Sequence, residues 1–314
     1  MARYVAWRLL FAVPLLFGLS VLAFGYVRLI PGDPVTAMLG VNSDPTLVAQ
    51  LRDQMGLDRP WYQQYFAWLG HVSTGDLGLS FRSKIPVSQI LIDRIPATLE
   101  LALGGMVVGL ALAISAGLLA GFKRGSKVDS FITGGILLGL ATPGFWLGTL
   151  LMILLALRLK WLPAQGYVPF VDDPAMSLRF LVLPTLTLGA AIAPYLARLM
   201  RAAVVEVVAD PSVNYARAQG LPEATIARKV VLRISMPSMI VAVALTVGFL
   251  LAGSIVVEEL FNWPGMGRLV VAGVSERDYP MIQALMLVYG VIFIVVNVIA
   301  EVLQGILDPR VRLS

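Results

Sequence analysis

Six long apolar stretches constrain this 314-residue sequence more than any other feature. A bilayer core about 30 Å thick is crossed by about 20 apolar residues in a helix, whereas membrane β-strands show segments of about ten residues with alternating polarity. The stretches here are continuous, so they predict transmembrane helices and not a barrel. The predicted spans are residues 9–27, 101–122, 131–157, 180–197, 234–257 and 281–300.

The composition supports an all-α integral membrane protein. Hydrophobic residues make up 58% of the chain and charged residues only 14%, whereas soluble domains are about a quarter charged. The excess apolar surface must therefore face lipid. The first span follows two arginines, and we interpret it as an uncleaved helix, because it is too long for the apolar region of a signal peptide.

The few residues suited to other chemistry do not form a site. There is no cysteine, which excludes disulfides and thiolate ligands. His71 is the only histidine, so we interpret it as solvated or interfacial and predict no metal site. The net charge of +5 is spread over short segments between apolar runs, which argues against a nucleic-acid partner.

The distribution of lysine and arginine predicts that both termini are cytoplasmic. Basic residues near span ends are retained on the inner side of the membrane. With the N-terminus inside, every predicted inner segment carries them, whereas the long outer segment, residues 31–96, has mixed charge. The basic residues predicted to lie inside include Lys123, Arg124, Lys127, Arg198, Arg201, Arg217, Arg228, Lys229, Arg233, Arg310 and Arg312.

The outer segment is patterned, not disordered. Apolar residues at Leu47, Leu51 and Met55, followed by an aromatic run at 61–69, predict two short amphipathic helices. The sequence from Gly56 to Pro60 separates them, because proline favours a helix start and disfavours helix just before it. The aromatic residues are equally typical of an interfacial belt, and both interpretations place the segment flat against the outer surface.

The inner segment at 200–233 is polar, basic and helical in composition. Asp210 followed by Pro211 is typical of a capped helix start. Gly220, Leu221 and Pro222 end one helix and begin another. This pattern predicts a short, exposed pair of helices on the cytoplasmic face.

Taken in order, a set of short motifs resembles the permease subunits of binding-protein-dependent ABC importers, in the branch that carries dipeptides, oligopeptides, nickel and glutathione. Each motif is weak alone, but their order and spacing extend over nearly the whole chain. They include Pro31-Gly32-Asp33-Pro34, Gly56-Leu57-Asp58-Arg59-Pro60, Gly75-Asp76-Leu77-Gly78, Pro96-Ala97-Thr98-Leu99, Trp263-Pro264-Gly265-Met266-Gly267, Arg277-Asp278-Tyr279-Pro280 and Asp308-Pro309-Arg310.

The resemblance implies a multi-pass protein of the bacterial inner membrane and a role for the inner segment. That segment is similar to the family's cytoplasmic EAA loop, which docks on an ATPase subunit. The family's glutamate position falls on Asn214 and its first alanine on Tyr215, and its proline appears later, at Pro237. The implied docking residues are Asn214, Tyr215, Ala216, Arg217, Ala218, Gln219, Gly220, Leu221 and Pro222.

The resemblance also implies partners. They are a second, homologous permease in a heterodimer, two subunits that bind ATP and magnesium, and an extracytoplasmic solute-binding protein. This chain would then hold no cofactor and catalyse no covalent step. The implied cargo is a small peptide, such as a dipeptide, an oligopeptide or a glutathione-like solute, while nickel chelates and sugars stay open as alternatives.

Other functions fit the residues less well. Residues 121–127 superficially resemble a phosphate-binding loop, but Val128 stands where serine or threonine should follow the lysine. A gradient-driven secondary transporter is the alternative from another class, and it should show inverted repeats, which the sequence does not clearly contain. Polar residues inside spans are candidates for the pathway or gate, and we select Glu258, Asn297 and Glu301.

Overall fold

The computed structural model of the chain describes residues 2–29, 35, 44–54 and 56–307. The motifs at 31–34 and 308–310, the basic residues Arg310 and Arg312, and Met55 lie outside the described residues. The described segments are almost entirely helical, with no strand longer than a single isolated bridge between Leu79 and Pro86.

The helices are numbered here in chain order. Two of them continue directly into π-helical turns, Met152–Arg158 after α6 and Ala227–Val231 after α9. Their bounds are α1 Ala2–Leu29, α2 Pro45–Gln54, α3 Trp61–Ser73, α4 Val87–Phe122, α5 Lys127–Ala141, α6 Gly144–Leu151, α7 Pro174–Val208, α8 Pro211–Ala218, α9 Glu223–Ile226, α10 Leu232–Leu260, α11 Met266–Glu276 and α12 Tyr279–Leu307.

Within the described part of the chain, five helical segments are long and apolar enough to cross a membrane, and a bent pair makes a sixth if it is one span. The predicted spans 9–27, 101–122, 180–197, 234–257 and 281–300 fall inside α1, α4, α7, α10 and α12. Four of these helices extend at least six residues beyond the predicted span at one end or the other. The predicted inner segment 200–233 therefore begins inside the continuous helix α7.

The third predicted span, 131–157, is divided between two helices in the structure and stays a prediction as a single crossing. Helices α5 and α6 meet at a bend of 103°. Thr142, the residue before Pro143, is extended, with φ −90° and ψ 122°, because a following proline ring disfavours helical geometry. Pro143 is extended as well, and α6 begins at the next residue.

The contacts divide the chain into two compact units, the first formed by residues 1–98 and 264–294. Its core contains Val87, Leu91, Met266, Met281 and Leu285, all nearly inaccessible to solvent. Helix α11, which contributes Met266 to this core, was not predicted from the sequence. The first residue of α11 is held by a hydrogen bond, because the Met266 N–H donates to Thr98 Oγ1 over 2.7 Å.

A buried carboxylate organises the other end of α11 in the first unit. Asp278 accepts hydrogen bonds from the Ser80 hydroxyl and, over 3.1 Å, from the Phe81 N–H. It also accepts from the backbone N–H of Met281 over 3.4 Å, in the first turn of α12. Asp278 thereby joins the loop before α4 to the start of α12.

The second unit, residues 99–263 and 295–314, is built around α7. This helix packs against α5, α6 and α10, and it is the most buried of the candidate spans. Glycines on α4 let that helix approach it closely: a Cβ added at Gly109 would lie 2.5 Å from Ile192 Cδ1. Such close approach is typical of helix packing in membranes, where small residues bring backbones together.

Candidate coupling site

The loop between α7 and α10 begins with a capped helix. The Asp210 carboxylate accepts a hydrogen bond from the backbone N–H of Ser212 over 2.8 Å, and Pro211 occupies the first helical position. Hydrogen bonds from Ser212 hold the pKa of the Asp210 carboxyl below its usual value. Asp210 and Pro211 therefore start α8 in the way predicted from the sequence.

The chain reverses between α8 and α9 at Gly220. The Gly220 N–H donates to the Arg217 carbonyl oxygen over 2.9 Å, and the Leu221 N–H donates to the Ala216 carbonyl oxygen over 3.3 Å. Gly220 has φ +76°, the left-handed region in which only glycine carries no steric penalty. No heavy atom of the described structure lies within 4 Å of a Cβ built there, so the constraint at Gly220 is conformational and not one of space.

Helix α8 has one buried face. Val213 and Ala216 lie one turn apart and are almost fully buried, and α8 packs against α9 and the π-helical turns after it. Ile226 and Val231, from those segments, are fully buried. Apolar burial on one face therefore holds the loop as a defined helix pair.

Most of the predicted docking residues lie on the exposed part of this loop, and Ala216 is the exception. Tyr215 is 67% exposed and is the largest exposed side chain of the predicted set that carries no charge. The exposed members of the predicted set are Asn214, Tyr215, Arg217, Ala218, Gln219, Gly220, Leu221 and Pro222.

An exposed ion pair spans the turn. Arg217 Nε donates to Glu223 Oε1 over 2.7 Å, and Arg217 Nη2 donates to Glu223 Oε2 over 3.3 Å. This bidentate contact raises the pKa of Arg217 above its already high value, so the guanidinium stays charged. The pair holds the Arg217 guanidinium in a defined orientation on the exposed surface of the loop.

A second arginine–carboxylate pair, which the sequence interpretation missed, lies at the start of α5. Arg201 on α7 donates to both carboxylate oxygens of Asp129, over 2.7 and 2.8 Å. Asp129 also accepts from the Gly125 N–H and from the Thr133 hydroxyl. The local signal was Ser126 followed three residues later by an acid, which is typical of a helix N-terminus and does not name the partner 72 residues away.

The predicted pathway residues lie on two helices, α10 and α12. Glu258 is fully buried near the end of α10. Asn297 and Glu301 lie one turn apart and half-buried on α12, about 27 Å or more along the helix axis from its first residue. The structure therefore places an acid near the end of α10 and a polar pair near the end of the candidate span Tyr279–Val302 in α12.

Two family models match nearly the whole chain. Residues 1–102 match the N-terminal part of the binding-protein-dependent transport system membrane component, and residues 113–313 match the binding-protein-dependent transport system inner membrane component. The second match covers more than half of the chain. The chain therefore belongs to the family of inner-membrane components of binding-protein-dependent transport systems, and it is the permease subunit of an ABC importer.

Relatives named as transport permeases align with 99% of the chain. It is 39% identical over 312 residues to the glutathione transport system permease protein GsiC of Escherichia coli O6:H1, with 99% of both chains covered. It is 38% identical, over the same length and coverage, to the protein of the same name from Shigella flexneri serotype 5b.

Solved structures agree on the fold. The MetNI methionine ABC transporter in inward-facing conformations matches with a TM-score of 0.59 and 15% identity, covering 70% of this chain and 97% of the other. A second crystal form of that transporter matches with a TM-score of 0.57 and 17% identity, with the same coverage. The predicted fold class, an all-α membrane permease of the ABC importer type, is confirmed, and the secondary-transporter alternative is excluded by the family.

Proposed function

We propose that this chain forms half of the pore of an importer for small peptides or glutathione-like solutes, with both termini in the cytoplasm. A second, homologous permease completes the pore, and two ATP-binding subunits supply energy from ATP and magnesium. A solute-binding protein delivers cargo from the outside. The helix pair of α8 and α9, with the residues from Asn214 to Pro222, carries the motion of the ATPase subunits to the membrane helices.

The observation that carries this proposal is the architecture of the coupling loop. A buried apolar face fixes α8, while Tyr215 and Arg217 are exposed at its surface. The π-helical turns Ala227–Val231 lead directly into α10, so a push on the loop reaches a spanning helix without an intervening flexible linker.

The cargo proposal depends on the relatives. Two permeases that are 38–39% identical over the full chain are named for glutathione transport. The chain has one histidine and no cysteine, which supports a peptide over a nickel chelate. Uptake of labelled glutathione into proteoliposomes, in competition with unlabelled dipeptide, nickel chelate or sugar, tests the class directly. Competition by sugar alone would replace the peptide assignment while leaving the importer assignment intact.

Substitution at Gly220 tests the coupling role. Valine cannot adopt φ +76° without strain, because its branched side chain is disfavoured in the left-handed region. Gly220→Val should therefore abolish binding-protein-stimulated uptake while membrane insertion is retained, since Gly220 lies in the exposed loop.

Gly220→Asn is the matched control. Asparagine tolerates the left-handed region, and no described atom lies within 4 Å of the new Cβ. Asparagine should thus preserve most uptake. If valine and asparagine reduced uptake equally, the turn geometry would not matter for coupling. Wild-type uptake by the valine variant would remove the coupling role of this loop.

A further inference from the structure

A pocket of about 470 Å³ lies in the first unit, lined by residues of α1, the α2–α3 region and the start of α12. Phe24 and Trp68 form part of its apolar wall, and their ring centroids lie 5.5 Å apart. Three arginines, Arg28, Arg52 and Arg59, also line it. The pocket thus combines aromatic surface with concentrated positive charge.

The charge of the pocket is one-sided. Among its described lining residues there is no aspartate or glutamate. Arg52 meets the carboxylate of Asp58, 3.3 Å away, on an exposed surface. No acid of the described structure pairs with Arg28 or Arg59, so the described residues give the pocket a positive excess. An anionic group would supply a negatively charged partner for these two guanidinium groups.

Arg28 is held in place before any ligand arrives. Its guanidinium carbon lies 3.6 Å from the centroid of the Phe24 ring, and Nη2 donates to the side-chain oxygen of Gln64. Gln64 is fixed in turn, because its side-chain nitrogen donates to the carbonyl oxygens of Leu57 and Arg59, over 2.9 and 2.7 Å. Such preorganisation reduces the entropy lost on binding.

The pocket lies at the end of a candidate membrane span, which favours a lipid as the source of the anion. Arg28 lies in the last turn of α1, whose candidate span ends at Leu29. Phe17, Leu22 and Leu29 are exposed on that span, as expected for a surface that faces lipid. Helix α3 exposes Trp61, Tyr62 and Phe66 next to the pocket, and exposed aromatic residues are enriched at the level of lipid headgroups.

We infer that this pocket binds the phosphate group of an anionic phospholipid, with Arg28 and Arg59 contacting the phosphate and the acyl chains lying along the exposed face of α1. Guanidinium groups match phosphate oxygens in bidentate geometry. Free phosphate shares this chemistry, but it has no apolar part to occupy the adjoining surface of α1. The lipid would brace α1 against α3 at the membrane boundary.

The test measures lipid binding to the purified transporter that contains this chain, by native mass spectrometry with added phosphatidylglycerol or phosphatidylcholine. Wild type should bind phosphatidylglycerol in preference. One basic residue near a membrane surface contributes about 1 kcal/mol, so Arg28→Gln and Arg59→Gln should each weaken phosphatidylglycerol binding by about fivefold. Arg59→Lys should weaken binding less than Arg59→Gln, because the charge is kept while the bidentate contact is lost.

Arg82→Gln is the matched control, because Arg82 is exposed, pairs with Glu276 and does not line the pocket. It should bind lipid like wild type. Arg59→Gln is a second test in case the Arg28 variant misfolds. No described side chain pairs with the Arg59 guanidinium, so its substitution removes no contact of the fold.

Three outcomes would overturn the inference. The first is equal binding of the two lipids by wild type, and the second is displacement of phosphatidylglycerol by millimolar inorganic phosphate, which would indicate a free-anion site. The third is unchanged lipid binding in the arginine variants with weaker docking of the solute-binding protein, which would make the pocket a protein contact.

Discussion

Two arginine–carboxylate pairs in the second unit have the same chemistry and nearly the same geometry. Arg201–Asp129 and Arg217–Glu223 both have a shortest N–O distance of 2.7 Å and a second bond to the other carboxylate oxygen. They differ in burial: the carboxylate side chain is 7% exposed at Asp129 and 58% exposed at Glu223.

The difference separates a structural region from an interaction region. The Asp129 carboxylate accepts further hydrogen bonds from Gly125 and Thr133, so it is satisfied inside the fold. Glu223 is largely hydrated, and exposed pairs of this kind contribute little to stability. We therefore expect the first pair to hold α5 to α7 and the second to be available to a partner subunit.

The largest expected effect follows from breaking the buried pair. Arg201→Gln leaves the Asp129 carboxylate buried without its cation, which should lower stability by about 3 kcal/mol. Thermal inactivation of the detergent-purified protein measures the loss. The double variant Asp129→Asn with Arg201→Gln should lose less than the two single variants together, because the pair is coupled. Additive losses would show that the contact does not stabilise the fold.

The next effect concerns Tyr215, which is exposed on α8 and should anchor the loop in the ATPase subunit. Exposed aromatic residues that become buried at an interface typically contribute about 2 kcal/mol to association. Tyr215→Ala should reduce the ATPase subunit recovered with the permease, while thermal stability stays unchanged. Tyr215→Phe should keep most of the recovery. A fall in stability equal to that of Arg201→Gln would instead assign Tyr215 to the fold.

Charge reversal at the exposed pair sharpens the comparison. Arg217→Glu should leave thermal stability nearly unchanged because the pair is hydrated, but it should weaken ATPase association. The difference in association between the variant and wild type should become smaller at high salt, because salt screens exposed charges. The exchange variant Arg217→Glu with Glu223→Arg restores the local pair with reversed positions. If the exchange restores association, the pair serves only the local turn; continued weak association supports direct contact between Arg217 and the partner.

The smallest expected effect is the acid response of the α8 cap. The lowered pKa of Asp210 means that its contribution to the helix is fully present above the ordinary carboxyl pKa and is lost as the pH falls through the lowered value. Hydrogen exchange of the α8 backbone, corrected for intrinsic rates, should show less protection at pH 3 than at pH 6. Asp210→Asn should show no such change, because an amide caps without titrating.

Local signals in the sequence account for much of this architecture. The apolar stretches fix the spanning helices, since length and hydrophobicity alone decide whether a segment can cross a bilayer. Asp210, Pro211 and Gly220 determine the ends of α8 because caps and left-handed turns depend on the residues at those positions. The two short helices α2 and α3 follow from their apolar periodicity in the same way.

Tertiary structure decided the features that depend on residues far apart in the chain. Pro143 explains why α5 stops before Thr142, because a following proline disfavours helical geometry, but no local signal sets the 103° angle between α5 and α6. Asp129 and Arg201 meet across 72 residues, and Arg28 enters the pocket with Arg59 only because α3 folds against α1. A sequence specifies helix propensity and polarity residue by residue, whereas long-range pairs form only when packing brings their side chains within hydrogen-bonding distance.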